Sequence, residues 1–221
     1  MKKVLGILIK AGLIVVGVLG IVFTIRSAGF MGGKYLPLYF TVQSNITIIL
    51  ISAVFLVNEL VRKKFVNQFW YILKYIFTVA ITITLLVFFT MLAPVMNPDY
   101  LLSFNNFSLH AIVPILALID FFVFDRDIEL TYPKSLFGLA MPLYYVIFYF
   151  CGVPLGVEYA AGSTAPYFFL DFGSIGWFFE KGTAGTAVWI LILLVAMSLL
   201  CLLFAKGMKL RQRPNGHKNA A

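Results

Sequence analysis

Charged residues are scarce in this sequence: Asp, Glu, Lys and Arg together make up 12% of its 221 residues, whereas hydrophobic residues make up 62%. Soluble domains carry about 25% charged residues, and the mean hydropathy here is +0.97. This composition leaves too little polar surface to coat a water-soluble globule. The short alternating segments of a membrane β-barrel are also absent. The composition therefore favours membrane helices.

Cysteine and histidine are rare as well, with two residues of each. Cys151 and Cys201 are predicted at opposite membrane faces, too far apart to form a disulfide. His110 lies in an apolar run, whereas His217 belongs to the C-terminal tail. One membrane histidine with scattered carboxylates does not make a ligand set, so we expect no metal and no cofactor.

Six apolar runs are long enough for a helix of roughly 20 residues to cross a bilayer. They cover residues 4–25, 38–60, 71–93, 106–124, 136–154 and 183–205. The sequence thus predicts an all-α integral membrane protein with a single six-helix domain over residues 1–205. A long aromatic outer loop spans 155–182, and a basic tail spans 206–221.

The basic residues predict how this bundle is oriented. If the helices alternate in direction, most Lys and Arg residues outside the runs fall on one side: Lys2, Lys3, Arg62, Lys63, Lys64, Arg126, Lys134, Lys206, Lys209, Arg211, Arg213 and Lys218. The other side receives Arg26, Lys34 and Lys181. Basic residues in short loops stay cytoplasmic, so both termini are predicted on that side of the cell membrane.

The excess of basic residues also predicts partners. The basic loops should contact anionic lipid headgroups, and no nucleic-acid partner is expected. Lys10 and Lys74 lie inside the apolar runs near their cytoplasmic ends. We expect both side chains to snorkel toward the headgroups.

Polar residues concentrate at the start of the second helix. Thr41, Ser44, Asn45 and Ser52 follow spacings of three, four and seven residues, so they share one helix face, and Gln43 lies beside them. Polar groups are costly in a membrane, so this face should look into the bundle.

The fourth helix carries a second polar stripe formed by Asn106, His110, Pro114 and Ala117. Pro114 should kink the helix. Asp120 lies about 15 Å deeper than His110 at 1.5 Å of rise per residue. We therefore expect Asp120 to pair with Arg126 or a helix terminus rather than to join an outer site.

Thr41 and His110 are each a few residues past the outer start of their helices, about 5 Å below the boundary. If the two helices are neighbours, the imidazole can take the proton of the threonine hydroxyl, because burial favours the neutral base. Gln43, Ser44, Asn45 or Asn106 would then position the substrate or donate hydrogen bonds to an oxyanion. This chemistry predicts acyl transfer or hydrolysis of a lipid ester.

Other interpretations remain open for both residues. Membrane threonines commonly bond to a carbonyl one turn earlier or tie helices together. A lone membrane histidine can be a packing residue or part of a proton path.

The outer loop is rich in aromatic residues, which favour the membrane interface. Its Tyr167-Phe168-Phe169-Leu170-Asp171 run predicts either a lid over the outer mouth of the bundle or an ordinary aromatic belt. Tyr167 and Asp171 are candidate lid or supporting residues, since a carboxylate among aromatic rings needs a donor or water.

At these segments the sequence resembles the family of the androgen-induced protein and the androgen-dependent TFPI-regulating protein, in its compact bacterial members. The resemblance rests on Phe40-Thr41-x-Gln43-Ser44-Asn45, on Asn106-x-x-x-His110-x-x-x-Pro114 and on Asp120. It extends over roughly residues 4–205. Animal members are intramembrane threonine hydrolases that cleave esters of hydroxylated fatty acids, so the resemblance implies Thr41 as nucleophile and His110 as its partner.

The sequence thus favours an intramembrane lipid hydrolase or acyltransferase whose substrate is a membrane lipid or acyl ester. A small transporter or channel would need polar groups through the full membrane depth. A non-catalytic membrane scaffold is the third interpretation.

Overall fold

A computed structural model describes residues 2–61, 65–124, 128–160 and 162–212 of the chain. Six helices in the described part are long and apolar enough to cross a membrane. In chain order they are α1 (Lys3–Gly29), α2 (Phe40–Leu60), α3 (Gln68–Val95), α4 (Phe104–Phe124), α5 (Tyr132–Leu155) and α6 (Thr186–Arg211). The predicted all-α fold with six helices of membrane-spanning length is confirmed in the described residues.

Helices α1 to α4 form one packed group, in which α1 contacts α2 and α4, and α3 contacts α2 and α4. Two glycines permit the close approach of α1 to its neighbours. A Cβ added at Gly17 would lie 2.6 Å from Cδ1 of Ile49, and one added at Gly20 would lie 2.6 Å from Oγ of Ser108. Small residues at such crossings let membrane helices pack without a hydrophobic driving force.

Helices α5 and α6 pack on each other and against α3. Buried tyrosines join this group to its surroundings through their hydroxyl groups. Tyr75 donates to the carbonyl of Ser135 at 2.6 Å, and Tyr145 of α5 donates to the carbonyl of Leu38 at 2.9 Å. A phenol that packs its ring and satisfies its hydroxyl suits an apolar interior.

The bundle has two distinct ends. The terminal end holds both termini of the described chain, since Arg211 of α6 donates to the carbonyl of Val123 at 2.8 Å and Lys10 of α1 contacts Asp120. The loop end holds Thr41, His110 and the segment from Gly156 to Gly185, which contains short helical turns at Phe168–Leu170 and Phe172–Ile175.

Toward the loop end, helices α3 and α4 each contain a wide π-helical turn, at Phe88–Leu92 and at Ser108–Ile112, and α4 has a second one at its other end, at Asp120–Phe124. In α4 the Val113 amide donates to the Ser108 carbonyl, and Pro114 follows. In α3 the Ala93 amide donates to the Phe88 carbonyl, and Pro94 follows. A proline lacks the amide that would bond four residues back and disfavours a helical residue before it, which explains why both helices widen there.

A buried ionic cluster at the terminal end links four helices. Lys10 lies 2.7 Å from Oδ1 of Asp120 and 2.8 Å from Oε1 of Glu59, and Lys74 lies 2.6 Å from Oδ2 of Asp120. The Lys10 and Asp120 side chains are fully buried, and Lys74 is 1% exposed. These residues come from α1, α2, α3 and α4.

This cluster corrects two sequence predictions. Lys10 and Lys74 do not snorkel to the headgroups, because a carboxylate inside the bundle offsets the cost of burying their charges. Asp120 pairs with these two lysines rather than with a helix terminus, and Arg126 lies outside the described residues. The other basic or histidine positions outside them are Arg62, Lys63, Lys64, Arg213, His217 and Lys218.

Candidate functional site

Thr41 is the second residue of α2, which begins where Tyr39 is extended, with φ of −85° and ψ of 136°. Amides in the first turn of a helix have no partner within the helix. The Thr41 amide donates to the Tyr167 hydroxyl at 3.4 Å. The segment from Gly156 to Gly185 therefore supplies a phenol to the start of α2.

His110 lies in the π-helical turn of α4 and faces the π-helical turn of α3. Its ring stacks on Phe88 with the ring centres 3.9 Å apart and the planes at 23°. Nδ1 lies 2.9 Å from the carbonyl oxygen of Asn106. That oxygen can only accept, so Nδ1 carries the proton and Nε2 of the neutral ring keeps its lone pair. Nε2 is thus the nitrogen that can accept a proton.

Asn45 ties α2 to α4 beside these two residues. Its Nδ2 donates to the carbonyl of Thr41 at 2.8 Å and to the carbonyl of Leu109 at 3.2 Å. One amide thus spans from the backbone of the candidate nucleophile to the backbone next to His110. This contact makes α2 and α4 neighbours at the depth of both residues.

Thr41 and His110 line one cavity of about 640 Å³ at the loop end. We call it the polar cavity; its wall includes Tyr35, Tyr39, Tyr100, Tyr159, Tyr167 and Asn106. Among the described residues, no hydrogen bond joins Thr41 to His110. Both residues instead line the same space, which is in the size range of small-ligand sites.

A second cavity of about 120 Å³ lies between α3, α5 and α6. Its lining is almost entirely apolar, and we call it the apolar groove. Leu143, on the groove wall, is 47% exposed at the bundle surface, where lipid chains would lie. Four residues belong to both the groove and the polar cavity: Thr41, Phe88, Leu92 and Tyr167. Thr41 therefore lies where the two cavities meet.

The other predicted site residues divide between the cavity and the helix contacts. Asn106 lines the polar cavity, whereas Gln43, Ser44 and Asn45 do not line either cavity. Ser44 pairs with Thr84 of α3 at 2.8 Å, and Gln43 donates to the carbonyl of Pro37 at 3.0 Å. Gln43 thus stabilises the backbone before α2, and Ser44 stabilises the contact between α2 and α3.

The two candidate loop residues also separate. Tyr167 contacts Thr41 and lines both cavities. Asp171 lines neither; its carboxylate accepts from the Ser174 amide at 3.1 Å and caps the short helix Phe172–Ile175. The carboxylate thus finds its donor in the backbone, as Asp commonly does at a helix start.

Sequence reasoning missed the part that Phe88, Tyr100 and Asn105 take in the cavity wall. One sequence signal was available for Phe88, namely Pro94, which comes just after the third apolar run that contains Phe88. Pro94 and Pro114 each follow a π-helical turn in the structure, and such turns frequently lie at functional sites. No comparable pattern marks Tyr100 or Asn105, because their positions depend on how the connection between α3 and α4 folds over the cavity.

Comparisons of the chain with protein-family models, with curated proteins and with solved structures find no match.

Proposed function

We propose that this chain is an intramembrane lipid ester hydrolase or acyltransferase that uses Thr41 as nucleophile and His110 as general base. The supporting observation is that Thr41 lies where the polar cavity meets the apolar groove, with His110 on the wall of the same cavity. An acyl ester would fit this arrangement, because it has a hydrocarbon chain on one side of its carbonyl and the ester oxygen with its alcohol group on the other. The resemblance noted in the sequence points to the same two residues.

The reaction would run in two balanced steps. Thr41 Oγ1 attacks the ester carbonyl carbon while Nε2 of His110 takes the hydroxyl proton. The bond from the carbonyl carbon to the alcohol oxygen breaks, and His110 returns the proton to the leaving alcohol. Water or a second alcohol then attacks the acyl carbon while His110 takes its proton. The bond from the acyl carbon to Thr41 Oγ1 breaks, His110 returns the proton to Oγ1, and an acid or a new ester is released.

The oxyanion formed in each step needs a donor, and Tyr167 is the best placed. Both protons of the Asn45 amide are engaged between helices, and Gln43 lies off the cavity. Burial raises the pKa of Tyr167 to about 12, so the phenol keeps its proton at neutral pH. A preorganised donor in a site with little water stabilises a developing negative charge strongly.

The basic residues of the terminal end support a cytoplasmic location for that end in the cell membrane, in contact with anionic headgroups. The polar cavity would then open toward the outer leaflet. A lipid could enter sideways, because the apolar groove reaches the exposed side of α5 at Leu143.

One observation favours the second candidate, a path for protons or ions. Buried polar side chains continue along α3 from Thr84 through Thr82 and Thr78 to Lys74. The hydroxyl of Thr82 donates to the carbonyl of Thr78, and the hydroxyl of Thr78 donates to the carbonyl of Lys74, both at 2.7 Å. These bonds are local to the helix, so the hydrolase remains the function that the geometry supports best.

A fluorophosphonate probe, which modifies activated hydroxyl groups, tests the hydrolase. We expect labelling of the purified full chain, none in Thr41→Ala, and labelling about 100-fold slower or more in His110→Ala. Thr47→Ala is the matched control, because the Thr47 hydroxyl lies on the same helix and donates to the carbonyls of Gln43 and Ser44. Thermal unfolding of each variant checks folding.

Equal labelling of wild type and Thr41→Ala would exclude Thr41 as the nucleophile. In the absence of any labelling, proton flux into proteoliposomes, measured with a pH-sensitive dye, tests the second candidate.

A further inference from the structure

The apolar groove exists because α5 and α6 separate toward the loop end. Near the terminal end, α6 packs on residues 132–139 of α5. The helices are closest at Gly138, where an added Cβ would lie 2.7 Å from Sγ of Cys201 and 2.9 Å from Oη of Tyr75. Among the described residues, α6 makes few contacts with Ala140–Gly152, the rest of the α5 helix toward the loop end. The groove fills the space that this separation leaves.

A turn of the outer loop, Phe168–Leu170, covers the groove at the loop end. The Tyr149 hydroxyl of α5 donates to the carbonyl of Leu170 at 2.7 Å. The Trp189 ring of α6 contacts the Phe168 ring, with the ring centres 5.8 Å apart. The turn thus joins both helices above the groove. The groove remains open on the exposed surface of α5, where it is continuous with the lipid-facing side of the bundle.

The groove ends inside the bundle rather than crossing it. On α5 and α6, the lining residues farthest from the loop end are Pro142 and Met197. Pro142 follows Gly138 by four residues, and Met197 precedes Cys201 by four, so each lies one helical turn from the closest contact of the two helices. Cys201 and Tyr75 are fully buried and fill the space beyond that contact. The Met197 side chain therefore forms the floor of the groove.

The wall of the groove suits a hydrocarbon chain. Two of its polar groups already have protein partners, since Oγ1 of Thr84 pairs with Ser44 at 2.8 Å and the Tyr145 hydroxyl donates to a backbone carbonyl at 2.9 Å. The other two, Thr41 and Tyr167, lie where the groove meets the polar cavity. The remaining lining side chains are apolar. A chain that runs inward from Thr41 therefore leaves no polar group of the wall without a partner.

The depth of the groove below Thr41 is limited. The Tyr167 hydroxyl accepts from the Thr41 amide at 3.4 Å. The neighbouring Phe168 ring contacts Trp189 of α6, so Trp189 lies near the depth of Thr41. Met197 is eight residues further along α6, about 12 Å deeper at about 1.5 Å of rise per residue. An extended hydrocarbon advances about 1.3 Å per carbon, because its C–C bonds are about 1.5 Å long, so this depth takes at most about nine carbons.

The volume of the groove gives a similar size. It is about 120 Å³. A dry, apolar cavity of about 150 Å³ binds benzene, a molecule of six carbons. Depth and volume together favour a chain of about six to nine carbons.

We infer that the apolar groove selects the acyl chain of the ester by its length, and that Met197 is the residue that sets the limit. The inference rests on the proposed function for the placement of the ester carbonyl at Thr41. Medium acyl chains fit between Thr41 and Met197. Longer chains must bend out between α5 and α6 and lose contacts with the groove.

Binding to the full-length Thr41→Ala variant in nanodiscs tests this without turnover. Native mass spectrometry measures the methyl esters of butyrate, octanoate, dodecanoate and palmitate, each relative to its partition into empty nanodiscs. We expect octanoate to bind about tenfold tighter than dodecanoate or palmitate, because extra methylene groups in a filled apolar site are costly. Equal or tighter binding of palmitate would overturn the inference.

Two substitutions at the floor, each made in the Thr41→Ala background, should move this preference in opposite directions. Met197→Ala deepens the groove, so we expect dodecanoate affinity to rise about tenfold. Met197→Trp fills the floor, so we expect octanoate affinity to fall about tenfold while butyrate affinity stays the same. Loss of stability alone would not produce opposite shifts, and thermal unfolding checks the folding of each variant.

Met141→Ala is the matched control for Met197→Ala. Met141 lies on α5 and packs against the same buried core, but it does not line the groove. We expect the Met141→Ala variant to keep the preference for octanoate. The same shift in both alanine variants would contradict a floor at Met197.

The length selection and the hydrolase fail separately. A preference for octanoate that depends on Met197, without Thr41-dependent fluorophosphonate labelling, supports the groove as an acyl-chain site and removes the hydrolase. Thr41-dependent labelling with no length preference does the reverse.

Discussion

Asp120 is the residue on which the buried ionic cluster depends. Its two oxygens meet Lys10 and Lys74 at 2.7 and 2.6 Å, and all three side chains are buried. Glu59 is a second carboxylate in contact with the cluster, with Oε1 2.8 Å from Lys10. A buried pair contributes little over an apolar pair of the same shape, but removing one member leaves an uncompensated charge.

We therefore expect Asp120→Asn to lower the free energy of unfolding by about 3–5 kcal/mol. Thermal unfolding in detergent, followed by scanning fluorimetry, measures the loss. Asp99→Asn, at an exposed loop position, should change stability by less than about 0.5 kcal/mol. Adding Lys74→Met to Asp120→Asn removes an ammonium group that Asp120 had faced and should recover part of the loss, as a double-mutant cycle would quantify. An unchanged melting temperature in Asp120→Asn would refute this role.

The π-helical turn of α4 determines where His110 points. Each residue of an α-helix turns the chain by about 100°. One extra residue in a wide turn therefore rotates the helix segment before the turn relative to the segment after it. Pro114 stands four residues after His110 and cannot donate to the His110 carbonyl. Pro114 therefore disfavours a regular α-helix across this turn, in which His110 stacks on Phe88.

Pro114→Ala should let this turn close into a regular helix and move the imidazole off Phe88. Ring currents from Phe88 at 3.9 Å shift the His110 ring protons upfield, so we expect these NMR signals to move toward ordinary values in the variant. Pro133→Ala is the control, because Pro133 lies in the first turn of α5, where no amide donor is needed. His110 signals that stay in place in Pro114→Ala would show that packing alone holds the turn.

The helices themselves were predictable from hydropathy, because bilayer thickness imposes a length on any apolar run. The run predicted at residues 38–60 is the helix Phe40–Leu60, and the run predicted at 106–124 is Phe104–Phe124. Pairing inside the bundle was not predictable. Whether Lys74 reaches a headgroup or Asp120 depends on the rotation and neighbours of its helix, and one sequence does not contain that information.

The candidate site was likewise predictable in part from the sequence. The polar faces of α2 and α4 follow from helical periodicity, which placed Thr41 and His110 at similar depth. The contribution of Tyr167 to the start of α2 depends on how the segment from Gly156 to Gly185 folds back over the loop end. Such a contact joins residues more than a hundred positions apart, and no local pattern encodes it.

The charge distribution predicts the orientation of the bundle in its membrane. Among the described residues outside the helix interiors, the terminal end carries Lys3, Lys134, Lys206, Lys209 and Arg211, whereas the loop end carries Arg26, Lys34 and Lys181. Retention of basic residues during insertion predicts that the terminal end faces the cytoplasm. The polar cavity and its lipid would then belong to the outer leaflet.

Cysteine accessibility checks this orientation. In a background with Cys151→Ala and Cys201→Ala, Ser174→Cys places an exposed thiol at the loop end and Lys134→Cys places one at the terminal end. We expect a membrane-impermeant maleimide to label Ser174→Cys in intact spheroplasts and Lys134→Cys only after lysis. The reverse pattern would place the cavity on the cytoplasmic side, and the lipid esters available to Thr41 would then be those of the inner leaflet.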